Sequence, residues 1–238
     1  MAILEIRHVS KFFGGLAAAA DVSFELAEGM IMGLIGPNGA GKTTLFNCIT
    51  GYYPPSKGEI LFAGRRMNGL QPDKVCKLGM VRTWQKVRPL TNLSVLDNVI
   101  VGALCRTNFV KRARDIALQQ LQLVRLEHKA TLTAGALPIG ERKKLEVARV
   151  LATNPKLLLL DEVMGGLNPV ESEEIIQLIL DIRSKGITQM VIEHDMKAIM
   201  RLSDRIVVLN SGEKLAEGSP QEIADNPQVI EAYLGAQS

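Results

Sequence analysis

The sequence predicts an α/β fold in which a helical segment interrupts a core of strands and helices. Three observations support this prediction. Roughly the first 65 residues alternate short apolar strands with glycine turns around one helix. Residues 87–155 carry helical periodicity instead. The apolar run PKLLLLDE then ends in two carboxylates, which is typical of a buried parallel strand.

The first part of the chain predicts strands on both sides of a glycine-rich loop. AILEIRHVS alternates as an edge strand would, and ADVSFELAEGMIMGLIG predicts a strand, a turn and a second strand. TTLFNCITGYY predicts a helix that stops at Gly51, and GEILFAGRRM predicts one more short strand. This part is therefore expected to be rich in sheet.

Helices and further strands follow. Three segments of the insert have helical periodicity: SVLDNVIVGAL, RARDIALQQLQLVRL and ERKKLEVARVLAT. After PKLLLLDE, the pattern predicts a helix, a strand, a helix, a hairpin and two short helices, in VESEEIIQLILDIRSKG, ITQMVIEHD, MKAIMRLSD, RIVVLNSGEKLAEG and SPQEIADNPQVIEAYLG. We therefore expect one domain over 1–238, with a core from 1–86 and 156–238 and a helical sub-domain from 87–155.

Composition excludes several classes of protein. Apolar residues make up 47% of the chain and aromatic residues 4%, which is ordinary for a globular protein. No apolar run approaches the roughly 18 residues that a membrane span needs, and MAILEIRHVS mixes charges into its apolar stretch, unlike a signal peptide. A net charge of +3 and the short basic cluster VKRARD do not indicate a nucleic-acid surface. A cytosolic protein is expected.

The segment GPNGAGKT has the spacing of a phosphate-binding P-loop. It follows an apolar strand and precedes a helix, which is the context that such a loop requires. Its glycines let successive backbone N–H groups point at phosphate oxygens, next to a helix N-terminus. We expect Lys42 to reach the β- and γ-phosphates and the Thr43 hydroxyl to bind Mg²⁺. The predicted cradle consists of Gly36, Pro37, Asn38, Gly39, Ala40, Gly41, Lys42 and Thr43.

Two carboxylates and a histidine are expected beside this loop. The buried strand LLLLD delivers Asp161 to the magnesium shell, and Glu162 can deprotonate a water aimed at the γ-phosphate. His194 follows a third apolar strand, and ligands of open α/β sheets bind at the carboxyl edge where such strands end. We expect His194 to sense the γ-phosphate or hold the attacking water. Gln85, at the entry to the helical insert, is a neutral candidate for binding Mg²⁺ or water.

The order of these motifs resembles the ATP-binding subunits of ABC transporters over nearly the whole chain. The motifs are GPNGAGKTT, Gln85, LPIGERKKLEVARVL, LLLLDE, GGLNP and VIEHD. Within that family, KFFGGLAA, VRTWQKVRPLTNLSVLDNVIVG, VIEHDMKAIMRLSDRIVVLNSG and NPQVIEAYLG are most similar to the branched-chain amino acid importers. The resemblance implies a P-loop NTPase core of the ABC ATPase type, with an antiparallel β sub-domain and the inserted helical sub-domain.

The resemblance also assigns roles by position. Thr44 extends the phosphate cradle, and Phe13 is implied to stack on adenine, with Phe12 as the alternative. Gln85 is implied to link the nucleotide to the membrane subunit. LPIGE stands where the family signature LSGGQ is common, so Ile139, Gly140 and Glu141 are implied to face the nucleotide of a neighbouring ATPase through backbone N–H groups.

Departures from the family pattern leave the main carboxylates untouched. Pro138 replaces the signature serine and has neither a hydroxyl nor an N–H, Val163 replaces a proline, and Asn168 replaces an aspartate. Gly140 still permits close backbone approach. We therefore expect the signature site to lose about one side-chain donor and to keep its backbone donors.

The function implied is that of the ATP-hydrolysing subunit of an importer for branched-chain amino acids or a related small polar solute. Its cofactors are ATP and Mg²⁺. Its implied partners are two transmembrane permease subunits, a second ATPase subunit packed head to tail, with a heterodimer favoured, and indirectly an extracytoplasmic solute-binding protein. The expected location is the cytoplasmic face of the plasma (inner) membrane. The alternatives are a soluble ABC-type ATPase and a regulatory subunit that binds nucleotide without hydrolysis.

Overall fold

Two β-sheets form the framework of the molecule. A computed structural model describes residues 1–84 and 89–234. Its strands, in chain order, are β1 (Ala2–Phe13), β2 (Leu16–Ala27), β3 (Ile31–Ile35), β4 (Lys57–Phe62), β5 (Arg65–Arg66), β6 (Met80–Arg82), β7 (Leu157–Asp161), β8 (Thr188–Ile192), β9 (Arg205–Asn210) and β10 (Glu213–Gly218).

The helices lie between and after these strands. They are α1 (Lys42–Ile49), α2 (Pro72–Leu78), α3 (Val95–Ala103), α4 (Val110–Leu123), α5 (Ile139–Leu151), α6 (Pro169–Ser184), α7 (Met196–Leu202), α8 (Pro220–Ala224) and α9 (Pro227–Leu234), with short 3₁₀ turns at Glu127–Lys129 and Ala134–Ala136. Within residues 1–84 and 89–234, no helix combines the length and the apolar character needed to cross a bilayer.

The first sheet is antiparallel and has the order β2-β1-β4-β5. β1 is therefore an inner strand, and the expectation of an edge strand was wrong. Leu4 pairs with Leu26 of β2 on one side and with Phe62 of β4 on the other, and all three side chains are buried. The segment GEILFAGRRM forms a hairpin, β4 and β5, rather than one strand, because the chain turns at Ala63 and Gly64.

The second sheet has the order β10-β9-β3-β8-β7-β6 and is parallel except for β10. Its central strands β3, β8 and β7 are buried along their whole length, which explains their continuous apolar sequences. Because these neighbours run parallel, the loops that follow them all leave the sheet at one edge. That edge positions the candidate site.

Helices α3, α4 and α5 pack together in the part of the chain between β6 and β7. Each buries a stripe of small and branched side chains, such as Val99, Ala117 and Ala148, and α3 begins at Ser94, whose Oγ accepts the Asp97 N–H at 2.9 Å. These are the helices expected in the insert. The sub-domain bounds themselves stay a prediction.

Two elements escaped the sequence analysis. α2 is short, begins with Pro72 at its first position and ends at Gly79, whose φ of 107° requires glycine. β6 has three residues and pairs with β7, Val81 opposite Leu158 and Arg82 opposite Leu159. A strand of this length carries too little periodicity to be recognised, yet it places Arg82 beside the end of β7.

Candidate functional site

The loop between β3 and α1 is shaped by two glycines that lie against backbone. Gly36 has φ +151°, and a Cβ there would lie 2.1 Å from the Leu209 carbonyl oxygen. Gly41 has φ +97°, and a Cβ there would lie 2.2 Å from the Ala18 carbonyl oxygen. Both positions therefore exclude a side chain. The loop wraps over the start of α1, where backbone N–H groups have no earlier helical partner.

Lys42 is the first residue of α1 and its ammonium group lies within the loop. Its Nζ donates to the carbonyl oxygens of Gly36 at 2.6 Å and Pro37 at 2.9 Å. Burial lowers the pKa of Lys42, while the nearby carboxylates of Glu162 and Asp161 act in the opposite direction. A buried cation beside backbone donors at a helix start is suited to bind phosphate. Of the threonines that follow, Thr43 is exposed and Thr44 is half-buried.

The carboxyl edge brings together the side chains predicted to act there. β3, β8 and β7 are neighbours, so the P-loop, His194 and the Asp161–Glu162 pair follow adjacent strands. His194 Nε2 lies 2.9 Å from Glu162 Oε1, and both carboxylates are close enough to Lys42 to influence its pKa. Gln85 lies outside the described residues.

A buried ion pair holds Asp161. Arg82 Nη2 donates to Asp161 Oδ2 at 2.6 Å, and the side chains are 6% and 0% exposed. Arg82 Nη1 also donates to Asn47 Oδ1 of α1 at 2.5 Å, and the Asp161 N–H donates to Thr83 Oγ1 at 3.0 Å. Burial raises the pKa of Asp161, whereas Arg82 lowers it. The sequence analysis did not identify Arg82, because its partner becomes apparent only when β6 is placed.

The second oxygen of Asp161 fits a magnesium site. Oδ1 is buried and finds no hydrogen-bond partner among the residues that the structure describes. A buried carboxylate oxygen without a donor carries a desolvation penalty that a cation or its bound water would relieve. Mg²⁺ prefers oxygen ligands, and the exposed Thr43 hydroxyl at the start of α1 is the second candidate. The donor set is therefore of the right chemical type.

Glu162 occupies a strained backbone conformation. Its φ is +51°, in the left-handed region, which costs a non-glycine residue on the order of 1–3 kcal/mol. The Glu162 N–H donates to the Ile192 carbonyl at 2.9 Å, and the carboxylate meets His194. The left-handed turn directs consecutive carboxylates differently, since Asp161 is fully buried while the Glu162 side chain is 15% exposed. An accessible carboxylate held by a histidine is a suitable general base.

Aromatic rings lie at the end of the β1–β2 hairpin. Phe13 is 42% exposed, its ring is 5.2 Å from that of Tyr53 in an edge-on arrangement, and Lys11 Nζ lies 5.1 Å from the ring centroid. Phe12 is 37% exposed and contacts Lys57 instead. Phe12 pairs with Ala17, one residue before the Ala18 carbonyl that touches Gly41. Stacking of Phe13 on adenine stays a prediction.

The signature segment begins α5. Pro138 is the N-cap, and its side chain makes no capping hydrogen bond. The Arg142 N–H donates to the Pro138 carbonyl at 2.9 Å, which closes the first turn of the helix. The N–H groups of Ile139, Gly140 and Glu141 precede that bond. Ile139 is exposed, whereas the Glu141 carboxylate accepts from Lys129 Nζ at 2.6 and 2.7 Å.

Gly140 and Asn168 have contacts within the same chain. A Cβ on Gly140 would lie 2.7 Å from Glu171 Oε1, so this glycine also accommodates α6 of its own subunit. Asn168 is the N-cap of α6: its Oδ1 accepts the Glu171 N–H at 2.9 Å, and Glu171 Oε2 accepts the Asn168 N–H at 3.1 Å. Asparagine serves this capping role as well as aspartate does.

A cavity of about 270 Å³ lies next to Arg82. Trp84 lines it with its ring 44% exposed, and the Arg82 guanidinium carbon lies 4.2 Å from the ring centroid. The Trp84 N–H donates to Glu146 Oε1 of α5 at 2.9 Å. The remaining wall is largely apolar and includes Tyr52, Val75, Val101 and Val150. The sequence analysis did not identify Trp84 or this cavity.

Two family models match parts of the chain, and curated proteins match almost all of it. A model described as ABC transporter matches residues 19–165, and one described as branched-chain amino acid ATP-binding cassette transporter matches 213–237. The chain is 41% identical to the high-affinity branched-chain amino acid transport ATP-binding protein BraF of Pseudomonas aeruginosa, with 98% of each chain covered. The protein of the same description, LivG, of Escherichia coli strain K12 is also 41% identical, again with 98% of each chain covered.

Solved structures agree with the fold. The crystal structure of the ADP conformation of MJ1267, an ATP-binding cassette of an ABC transporter, matches with a TM-score of 0.90 at 31% identity, covering 99% of both chains. A nucleotide-free ATP-binding cassette from an ABC transporter matches with a TM-score of 0.89 at 30% identity, covering 98% of this chain and 99% of that one. The α/β fold class predicted from the sequence is confirmed.

Removing the buried guanidinium should destabilise the chain. Arg82→Met leaves Asp161 as an uncompensated buried carboxylate, so we expect the free energy of unfolding to fall by about 3–5 kcal/mol. Urea denaturation of the purified chain measures this. The control is Arg201→Met, which removes the exposed Arg201–Glu173 pair and should unfold close to wild type. Equal midpoints for the Arg82→Met variant and wild type would show that the ion pair does not stabilise the fold.

Proposed function

This chain belongs to the ABC transporter family, as an ATP-binding protein of the branched-chain amino acid type. We propose that ATP is hydrolysed at the carboxyl edge of the second sheet, with Glu162 as the general base. The chain is the ATPase subunit of a branched-chain amino acid importer. The observation that supports this assignment is the Glu162–His194 contact of 2.9 Å beside the P-loop lysine. The residues and roles below are proposals.

ATP is held chiefly by backbone and by one ammonium group. The P-loop residues 36–43 and Thr44 surround the phosphates, and Lys42 exchanges its contacts with the Gly36 and Pro37 carbonyls for contacts with phosphate oxygens. Phe13 stacks on the adenine ring. Mg²⁺, held by Thr43, Asp161 and Gln85, would neutralise charge on the β- and γ-phosphates.

Hydrolysis requires a water aligned with the γ-phosphate. Glu162 accepts a proton from that water. His194 orients the Glu162 carboxylate and contacts the γ-phosphate. The bond from the water oxygen to phosphorus forms as the bond from phosphorus to the bridging oxygen breaks, which releases ADP and phosphate. The left-handed turn at Glu162 places this carboxylate at the solvent side of the buried Asp161.

A second ATPase subunit completes the site. We propose a head-to-tail dimer in which the start of α5 faces the γ-phosphate held by the partner's P-loop. The N–H groups of Ile139, Gly140 and Glu141, which precede the first helical bond, and the dipole of α5 attract that phosphate. The partner in this proposal is a related ATPase rather than a second copy, because the resemblance to the branched-chain amino acid importers favours a heterodimer.

Permease subunits dock at the cavity beside Trp84. Its rim exposes Tyr52, Trp84 and Val101, and the segment that follows Gln85 also exposes Leu90, Leu93 and Leu104. An exposed apolar surface of this kind indicates a protein partner. Two permease subunits then hold the ATPase pair at the cytoplasmic face of the membrane, and a solute-binding protein acts on the opposite side.

The base and the phosphate ligand should be separable by mutation. Glu162→Gln removes the proton acceptor but keeps the cradle, so we expect normal ATP affinity, a loss of turnover of at least a hundredfold and accumulation of ATP-bound dimer. Lys42→Ala removes charge from the phosphates and should weaken ATP binding itself. Steady-state hydrolysis and nucleotide titration of the assembled transporter measure both.

The control for this pair is Glu213→Gln, an exposed carboxylate on β10, which should behave as wild type. Turnover of the Glu162→Gln variant within about tenfold of wild type would reject Glu162 as the base. Unchanged ATP affinity in the Lys42→Ala variant would reject the P-loop assignment.

Restoring a serine at the signature should have a small effect on catalysis. Pro138→Ser adds one hydroxyl donor and also a side-chain cap for α5. We expect the ATPase rate to change by about tenfold or less, since 1.4 kcal/mol corresponds to one decade. The cap should raise the free energy of unfolding by about 1 kcal/mol. Activation by several decades would instead show that this signature is degenerate and that one of the two sites in the dimer is silent.

A charge at the rim of the cavity should prevent docking. Val101→Glu places a carboxylate where an apolar permease segment would pack, so co-purification with the permease subunits should fall at least tenfold. ATP binding by the purified chain should not change. Ile230→Glu on α9 is the matched control, because Ile230 is 46% exposed and Val101 is 47% exposed. Normal assembly of the Val101→Glu variant, or tight binding of the purified chain to protein-free liposomes, would contradict this docking site.

A further inference from the structure

We propose that Lys143 and Glu193 are positioning residues that hold the loop 162–165 so that Glu162 keeps its left-handed conformation. We call these two side chains the loop clamp. The inference rests on the proposed function of Glu162. It adds two buried charged residues that the phosphate site, the metal site and the docking surface do not use.

Lys143, on α5, forms hydrogen bonds with both ends of the loop. Its Nζ donates to the Glu162 carbonyl oxygen at 3.0 Å and to the Gly165 carbonyl oxygen at 2.6 Å. The residue is 5% exposed, so both bonds are shielded from water. Because one ammonium group bonds the first and last carbonyls of the loop, it fixes the distance between them.

Glu193 holds the middle of the loop from the other side. It follows β8, is 4% exposed, and its Oε1 accepts the Met164 N–H at 2.7 Å. Burial raises the pKa of Glu193 to about 7, while the Met164 N–H and the positive charge of Lys143 act in the opposite direction. Burial lowers the pKa of Lys143. The negative charge of Glu193 is the largest of the effects that raise it. The two groups therefore interact electrostatically across the loop.

The loop has a conformation that needs such support. Glu162 has φ +51° without being glycine, and Gly166, just after the loop, has φ +77°. A strained residue persists only when its surroundings determine the backbone around it. Here three hydrogen bonds surround the turn. The Glu162 N–H donates to the Ile192 carbonyl, and the Glu162 carbonyl accepts from Lys143. The Met164 N–H donates to Glu193. The clamp supplies two of these three constraints.

The clamp also joins the base to the signature helix. Lys143 is four residues after Ile139, about one turn along α5, so the helix that presents the signature N–H groups also bonds the Glu162 carbonyl. A displacement of α5 would therefore move Glu162 unless these bonds break. Within one subunit, this is a direct mechanical connection between the signature segment and the proposed base.

The test is Lys143→Met in the full chain assembled with its permease subunits. Methionine keeps most of the side-chain volume but cannot donate to either carbonyl. We expect kcat to fall at least tenfold, KM for ATP to stay within about twofold, and ATP-bound dimer to accumulate, as expected when a base is misplaced. Lys143→Arg, which retains donors, should recover part of the lost kcat.

The matched control is Lys144→Met, the same substitution at the next position of α5. Lys144 pairs with Glu174 at 2.5 Å and does not belong to the clamp, so its kcat should stay within about twofold of wild type. At the other side of the loop, Glu193→Gln keeps an acceptor for the Met164 N–H, whereas Glu193→Ala removes it. We therefore expect Glu193→Ala to lose clearly more kcat than Glu193→Gln.

Several results would overturn the clamp. One is that the folded Lys143→Met variant keeps a kcat within twofold of wild type. Another is that its affinity for ATP falls by as large a factor as its kcat. Should Lys143→Met fail to fold, the comparison of Glu193→Ala with Glu193→Gln decides, and equal kcat values reject the clamp. If Glu162→Gln abolishes turnover while the clamp variants are normal, only this inference fails. If Glu162→Gln itself retains turnover, the proposed base fails as well.

Discussion

The ion pair between Arg82 and Asp161 determines how the site is arranged. A carboxylate at the end of a fully buried strand needs a counter-charge, because desolvation of an unpaired ion is costly. β6 supplies it from the neighbouring strand, and the same guanidinium bonds Asn47 on the helix that follows the P-loop. One side chain thus connects the strand that ends in Asp161, the carboxylate proposed to bind Mg²⁺, with the helix that begins with Lys42. It also leaves Oδ1 of Asp161 available for a cation.

The residue that follows Asp161 has a strained backbone conformation. The chain leaves β7 through a left-handed Glu162, so consecutive carboxylates have different environments: Asp161 is buried against Arg82, and Glu162 reaches His194 at the accessible side. This difference suits the two proposed roles, because a metal ligand can be buried whereas a base must be reached by the attacking water. Backbone strain at such a position is tolerated because surrounding hydrogen bonds determine the conformation.

Sequence patterns predicted the parts of the molecule that have strong local signals. The P-loop, the buried strands β3, β7 and β8 and the inserted helices follow from glycine spacing, continuous apolar runs and helical periodicity. The prediction of parallel strands also implied that Lys42, Asp161, Glu162 and His194 lie at one edge of the sheet. Roles for these residues, as for Phe13 and the signature segment, remain predictions.

What sequence patterns missed depends on contacts between distant segments. β6 is three residues long. The role of Arg82 as a counter-charge becomes visible only in its ion pair with Asp161, 79 positions away in the sequence. In the sequence, Lys143 is the middle residue of the basic run RKK in a predicted helix, and nothing there distinguishes it from its neighbours. In the structure it is buried and bonds two carbonyls of another loop. β1 alternates like an edge strand, but alternation reports which face is buried and does not count the neighbours on each side.

Arg82 lies between the cavity and the carboxyl edge of the second sheet. Arg82 lines the cavity, stacks on Trp84 at its rim, and bonds Asp161 on its other side. Trp84 is in turn bonded to Glu146 of α5, the helix that carries Lys143. A protein that packs against Trp84 would therefore be connected to the site in two ways: through Arg82 to Asp161, and through Glu146 to the helix that bonds the Glu162 carbonyl. Because interiors are close-packed, a displacement at this rim is accommodated by these bonded neighbours.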